Sequence, residues 1–215
     1  MKIQIMSDLH LDLAGNLKIK SHDTDLVILA GDITGGFDSV RWAIKTFKQP
    51  TLLILGNHEM IPNQFERLKK FRALTQGTNV YILENDLFEF QGIRFLGCTL
   101  WAPTNKAMCI AMNKSIEWLK NALSKPYQGK TIVITHHSPL HQSLSHETLR
   151  DPSLAKRLSV DLYDFIEQSN ISIWVHGHIH KQQNYFCGNT QIIANPRGYS
   201  GMIEKKFNPE FKLEV

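Results

Sequence analysis

An α/β fold follows from three features of this 215-residue chain. Short runs rich in Ile, Val and Leu recur at the length of buried strands, helical periodicities lie between several of them, and a hairpin-rich stretch interrupts the alternation near the middle. Five of the runs, Lys2–Met6, Leu26–Ala30, Leu52–Leu55, Thr131–Thr135 and Ile171–Val175, are each followed by a polar cluster rich in metal-liking side chains. The clusters are Asp8-x-His10, Gly31-Asp32, Gly56-Asn57-His58-Glu59, His136-His137 and His176-Gly177-His178-x-His180. A parallel sheet would carry all five to one edge, outside the carboxyl ends of the strands, where open α/β sheets bind ligands.

The remaining elements follow in chain order. A polar connection, Leu11–Asp25, leads from the first strand to the second, and Gly35-Gly36 then opens a helix over Ser39–Lys48 with Val40, Ala43, Ile44 and Phe47 on one face. Pro62 suits an early helical position, Phe65, Leu68, Phe71 and Leu74 continue the amphipathic pattern, and Gly77 closes it. Short strands follow at Val80–Leu83, Leu87–Phe90 and Ile93–Gly97, punctuated by Asn85-Asp86 and Gln91-Gly92. Helices are expected over Lys106–Leu123 and Val160–Gln168, and further strands over Gln183–Cys187, Thr190–Ala194 and Phe211–Val215. No repeat or linker divides the chain, and both halves supply the same clusters, so residues 1–215 read as one domain. Ser138–Ser159 is polar and follows a candidate ligand, which fits either a solvated connector or a wall or lid over the site.

Composition narrows the function less than the motifs do. A 42% hydrophobic content supports a substantial core, and a net charge of +4 with scattered Lys and Arg gives no basic stripe for nucleic acid, although it suits an anionic substrate. Cys98, Cys109 and Cys187 show neither disulfide nor zinc-thiolate spacing. The amino terminus enters a strand with no leader pattern, and no run is long enough to span a bilayer, so a cytoplasmic protein without a membrane partner is expected.

Two cations held close together need several carboxylate or imidazole ligands and one bridging group, and Asp32, with two oxygens on a short side chain, suits the bridge. Imidazole and carboxylate without thiolate favour Mn, Fe, Zn or a similar first-row metal. The ordered set Asp8-x-His10, Gly31-Asp32, Gly56-Asn57-His58-Glu59, His136 and Gly177-His178-x-His180 resembles the calcineurin-like metallophosphoesterases over nearly the whole chain.

The resemblance implies a four-layer αββα sandwich of two mixed β-sheets flanked by helices, with a binuclear metal centre at the strand carboxyl ends. It also implies that Asp8, His10, Asp32 and His180 hold one metal, that Asp32, Asn57, His136 and His178 hold the other, and that His58 contacts phosphate and protonates the leaving oxygen. The implied activity is hydrolysis of a phosphate monoester or diester, as a phosphatase or phosphodiesterase, by attack of a metal-bound hydroxide on phosphorus. The substrate would be a small phosphate ester, nucleotides included. The alternatives are a scaffold that binds proteins without catalysis, and a small nuclease or cyclic nucleotide phosphodiesterase. Arg197, in the turn Asn195–Tyr199, and His137 are candidate substrate contacts. Glu59 either orients His58 or supports the turn, and His176 is either a donor behind the ligands or a buried, hydrogen-bonded imidazole. Trp101 reads as core or rim packing.

Overall fold

The computed structural model describes all residues except 20–22, 62, 63, 200 and 202, and the side chains of 64 and 65 are also left out. His22, expected on the surface, and Pro62, expected in a first helical turn, lie outside the described residues.

Among the described residues, eleven strands form two sheets. The first contains β1 (Lys2–Met6), β2 (Leu26–Ala30), β3 (Thr51–Ile54), β4 (Val80–Ile82) and, from the far end of the chain, β11 (Lys212–Glu214), in the order β11-β1-β2-β3-β4. β1 to β4 run parallel and β11 pairs antiparallel with β1. The second contains β5 (Asp86–Phe90), β6 (Ile93–Cys98), β7 (Thr131–Thr135), β8 (Ile173–Val175), β9 (Gln183–Cys187) and β10 (Thr190–Ala194), in the order β5-β6-β7-β8-β10-β9. Its edge pairs are antiparallel and its centre parallel.

Strand alternation sorts the apolar residues into three layers of core. Ile3, Ile5, Ile28, Ile54, Phe95, Ile132, Ile134 and Val175 meet between the sheets. The alternate residues of the first sheet, among them Val27, Leu29 and Leu53, pack on Val40, Ala43, Phe47 and Phe71. Those partners lie on and beside α2 (Asp38–Thr46) and α4 (Gln64–Thr75), which follow the four-residue α1 (Leu11–Ala14) and α3 (Asn57–Met60). On the opposite side Leu96, Val133, Trp174 and Ile192 pack on Leu119 and Ala122 of α5 (Lys106–Leu123) and on Ile166 of α8 (Tyr163–Glu167). This is the four-layer arrangement of helix, sheet, sheet and helix, and it corrects the expectation of one parallel edge: three clusters leave the first sheet and two leave the second.

The sheets are joined where those clusters meet. Ser7 bridges to Pro196, and the Ser7 N–H donates to the Asn195 carbonyl at 3.2 Å. Ser138–Ser159 is not a plain solvated connector. It contains a 3-10 turn (His141–Ser143), α6 (His146–Leu149) and α7 (Pro152–Leu158), and its two ends pair in a bridge between Ser138 and Ser159. Ser145 and Asp151 cap the two helices by accepting N–H groups of their first turns. Among the described residues no helix is long and apolar enough to cross a membrane.

Candidate metal centre

The backbone changes character as each strand ends. Asp8, His10, Asp32, His178 and His180 all adopt positive φ, between 41° and 69°, a region that L residues enter at a cost of roughly 1–2 kcal/mol each. These left-handed residues break the strand alternation, so that both members of Asp8-x-His10 and of His178-x-His180 reach the same place.

Glycines let the loops close together. Gly31 has φ 88°, and a Cβ there would strike the imidazole of His136. At Gly56 it would strike the Asp32 carboxylate, and at Gly177 it would lie 2.7 Å from Asp8 Oδ2. The space beside His136, Asp32 and Asp8 therefore depends on a missing side chain.

Three overlapping groups of donor atoms could hold metal ions: Asp8 with His10 and His180; His10 with Asp32 and His58; and Asp32 with His136 and His178. Within each group the donor atoms lie within 4.8 Å of one another. His180 Nε2 is 3.3 Å from Asp8 Oδ1 and 3.1 Å from His10 Nε2. Asp32 Oδ2 is 3.3 Å from His136 Nε2 and 3.9 Å from both His10 Nε2 and His58 Nε2. Asn57 Oδ1 lies 3.1 Å from His136 Nε2. All seven residues expected as ligands thus converge, and His58 stands beside them.

The surroundings orient these groups. His136 Nδ1 donates to the Ala30 carbonyl at 3.0 Å, leaving Nε2 directed at Asp32 and Asn57. The His178 main-chain N–H donates to both Asp8 oxygens, and the His58 N–H donates to Asp32 Oδ1 at 2.9 Å. His10 Nδ1 is buried without a hydrogen-bond partner, while its Nε2 faces another nitrogen. A cation between His10 and His180 would suit that nitrogen pair better than a proton that only one of them can carry.

The charges point the same way. Burial opposes ionisation of Asp32, yet its histidine neighbours, His136 first, hold its pKa far below the usual carboxylate range. Burial likewise opposes a charged His136, but the Asp32 carboxylate raises it to about 9, a positive charge beside Asp32 that a bound cation would replace by displacing the proton. Burial dominates at His10 and His178 and lowers each to about 4, the uncharged form that a metal needs. The residues present fit a pair of divalent cations.

Other candidates fall differently. Glu59 supports the turn and does not orient His58. Its Oε1 accepts the N–H of Ile33 at 2.7 Å, and its Oε2 accepts those of Asp32 at 3.0 Å and Gly56 at 2.8 Å. Arg197 braces the loop around α1: its guanidinium donates to the carbonyls of Leu9, Ala14 and Gly15. His176 is the buried imidazole of the two readings, bonded to Ser143 Oγ at 3.1 Å. The His137 ring packs against that of His178 at a tilt of 44°, with centroids 4.2 Å apart.

The sequence pointed to the Asn195–Tyr199 turn and to Ser138–Ser159 without placing them, and the structure does so. The half-buried Tyr199 places its ring 4.6 Å from that of His10 and 4.5 Å from that of His180. A cleft of about 730 Å³ also opens beside Asn57, His137 and His178, walled by Trp101 and by α7 with Lys156 and Arg157. The helix start Asp151-Pro152 was a legible signal for α7. Of the two readings of Ser138–Ser159, the wall fits: α7 faces the candidate ligands Asn57 and His178 across the cleft.

With fold and site in place, the family follows: the chain belongs to the calcineurin-like phosphoesterases, whose pattern it matches over residues 1–182. It is 24% identical to uncharacterized protein L509 of Acanthamoeba polyphaga mimivirus over 279 residues, 99% of this chain and 96% of that protein. It is also 24% identical over 207 residues to a probable glycerophosphodiester phosphodiesterase, GpdQ, of Arcobacter nitrofigilis, covering 93% of this chain and 72% of that one. Among solved structures it resembles the phosphopantetheinyl hydrolase PptH of Mycobacterium tuberculosis, with a TM-score of 0.76 and 17% identity over 100% of this chain and 95% of that one. A dimetal phosphatase from Danio rerio matches with a TM-score of 0.60 and 13% identity over 97% and 89%. At these identities the structural likenesses establish the fold alone.

Proposed function

We propose that this chain hydrolyses phosphate esters with two divalent metal ions, one held by Asp8, His10, Asp32 and His180 and the other by Asp32, Asn57, His136 and His178. The observation that carries the reading is the position of Asp32. Its Oδ2 reaches His136 on one flank and His10 on the other, as a shared ligand must. When bound, such a pair supplies a nucleophile at neutral pH and positive charge for the phosphoryl oxygens.

The protein's own part is to arrange the reacting groups. Glu59 fixes the Asp32 turn through main-chain N–H groups, and the Ala30 carbonyl fixes the His136 ring. His58 packs edge-on against His10 with centroids 4.6 Å apart, and its side chain is 33% exposed, so it can meet a substrate that covers the metals. Its imidazole gives a proton to the departing ester oxygen.

The test uses metal-stripped protein reloaded with manganese and assayed on p-nitrophenyl phosphate and bis-p-nitrophenyl phosphate. Turnover that appears only with metal supports the reading. No turnover of any ester, together with no bound metal after careful purification, would overturn it.

A further inference from the structure

The cleft beside the metal centre lies on one flank of it. It reaches Asn57 and His178, together with His137, whereas among the described residues His10, His58 and Tyr199 do not line it. Those three pack against one another or against His180 on the other flank. If His58 protonates the leaving oxygen, the leaving group departs on the flank of His58 and His10. The cleft is then free for a substituent that stays on phosphorus. A monoester has no such substituent; a diester has one.

The walls describe that substituent. The cleft's 730 Å³ falls within the roughly 300–1,000 Å³ of small-molecule sites. Ile61 and Leu154 line it while 50% and 39% exposed, and Met108 and Leu158 add to the same apolar surface. Lys156 and Arg157 are the charged residues among its described lining, and no carboxylate opposes them. The Arg157 carbonyl lies 3.3 Å from His178 Nε2, which sets this basic pair within a side chain's reach of the metal ligands.

Building on the phosphoesterase reading, we propose that the substrate is a phosphodiester whose retained group is amphipathic, lying on Ile61 and Leu154 and carrying a second anionic group read by Lys156 and Arg157. In the reaction water adds its oxygen to phosphorus, the bond from phosphorus to the leaving oxygen breaks, and the proton passes to that oxygen through His58. The phosphomonoester product remains in the cleft.

The p-nitrophenyl ester of thymidine 5′-phosphate, with and without a 3′-phosphate, tests this on the manganese-loaded protein. Nitrophenol leaves and the nucleotide is retained. The intact chain is expected to give the higher kcat/KM on the probe with the second phosphate, and both probes are expected to exceed p-nitrophenyl phosphate. Lys156→Ala combined with Arg157→Ala, both exposed on α7, should cut the preference for the second phosphate roughly tenfold, the scale of two partly exposed charge contacts. Lys45→Ala on the remote helix α2 should leave that ratio at its starting value. An unchanged ratio in the double variant, or a monoester preferred over both diesters, overturns the cleft assignment and leaves the phosphoesterase reading standing. Absence of turnover on all three esters overturns the phosphoesterase reading itself.

Discussion

The main-chain N–H of His178 donates to both carboxylate oxygens of Asp8, at 2.9 and 3.0 Å. One residue follows β1 of the first sheet and the other follows β8 of the second, so this fork ties the sheets together at the metal centre. It also aims Asp8 before any cation arrives, because two hydrogen bonds from one N–H hold both oxygens in a defined plane.

Asp32→Asn is expected to lower occupancy at both metal sites together, since its oxygen faces both flanks. His58→Ala should slow turnover by about 10²–10⁴-fold, the usual contribution of a general acid, while metal content stays near that of the unaltered protein. Metal analysis beside an assay on an alkyl phosphate ester, whose leaving oxygen needs the proton that p-nitrophenolate does not, separates the two. Equal metal loss in both variants would contradict the division of roles.

Glu59→Gln should destabilise the fold by about 1–3 kcal/mol, because the new amide replaces an oxygen that accepts main-chain N–H groups with another donor. Urea unfolding gives the difference. Glu59 is fully buried, so solvent cannot take over the abandoned N–H groups.

Gly31 and Gly92 separate two reasons for glycine. Both have positive φ, but a Cβ at Gly92 meets nothing within 4 Å, whereas at Gly31 it meets the His136 ring. Gly92→Ala should cost roughly 1–2 kcal/mol in denaturant unfolding, the backbone term alone. Gly31→Ala should cost roughly 2–5 kcal/mol, because overpacking adds to that term, and it should also lower metal affinity. Equal costs would mean that the His136 ring yields freely.

Glu84 gives a pH dependence away from the metal ligands. Burial raises its pKa, against hydrogen bonds from the Thr99 hydroxyl and N–H. The single Thr99 hydroxyl proton lies between Leu55 O at 2.8 Å and Glu84 Oε2 at 2.6 Å, so a protonated Glu84 completes the set. A raised carboxylate pKa means that the folded state binds the proton more tightly than the unfolded chain. The stability from this group is therefore full below the unfolded pKa and is lost as pH rises through the folded value. Urea midpoints measured from about pH 4 to 8 should show this decline, and Glu84→Gln should reduce it, leaving the part that comes from Glu59, which burial raises to about 8.

Much of this architecture was legible where local pattern and tertiary environment agree. Lys2–Met6, Leu26–Ala30, Thr131–Thr135, Thr190–Ala194 and Lys106–Leu123 match their observed elements end to end. In the strands, runs rich in aliphatic and β-branched residues are buried; in the long helix, Asn105 caps the first turn by accepting the Met108 N–H. The helix expected from Val160 begins instead at Tyr163, because the N–H groups of Val160 and Leu162 donate to the carbonyls of Ser138 and Pro139. α3 is too short to show a period. The bracing role of Arg197 was hidden for a related reason: its carbonyl partners lie more than 180 residues away in sequence.

The fork between Asp8 and His178 has a further consequence, for the chain as it is made. Its partners are separated by 170 positions, and β8, which brings the second to the first, lies in the last fifth of the sequence. A growing or truncated chain that stops before Ile173 has Asp8, His10, Asp32, Asn57 and His136 but lacks His178 and His180, one candidate ligand for each half of the proposed site. Closure of the proposed site by His178 and His180 would therefore wait until β8 has docked beside β7.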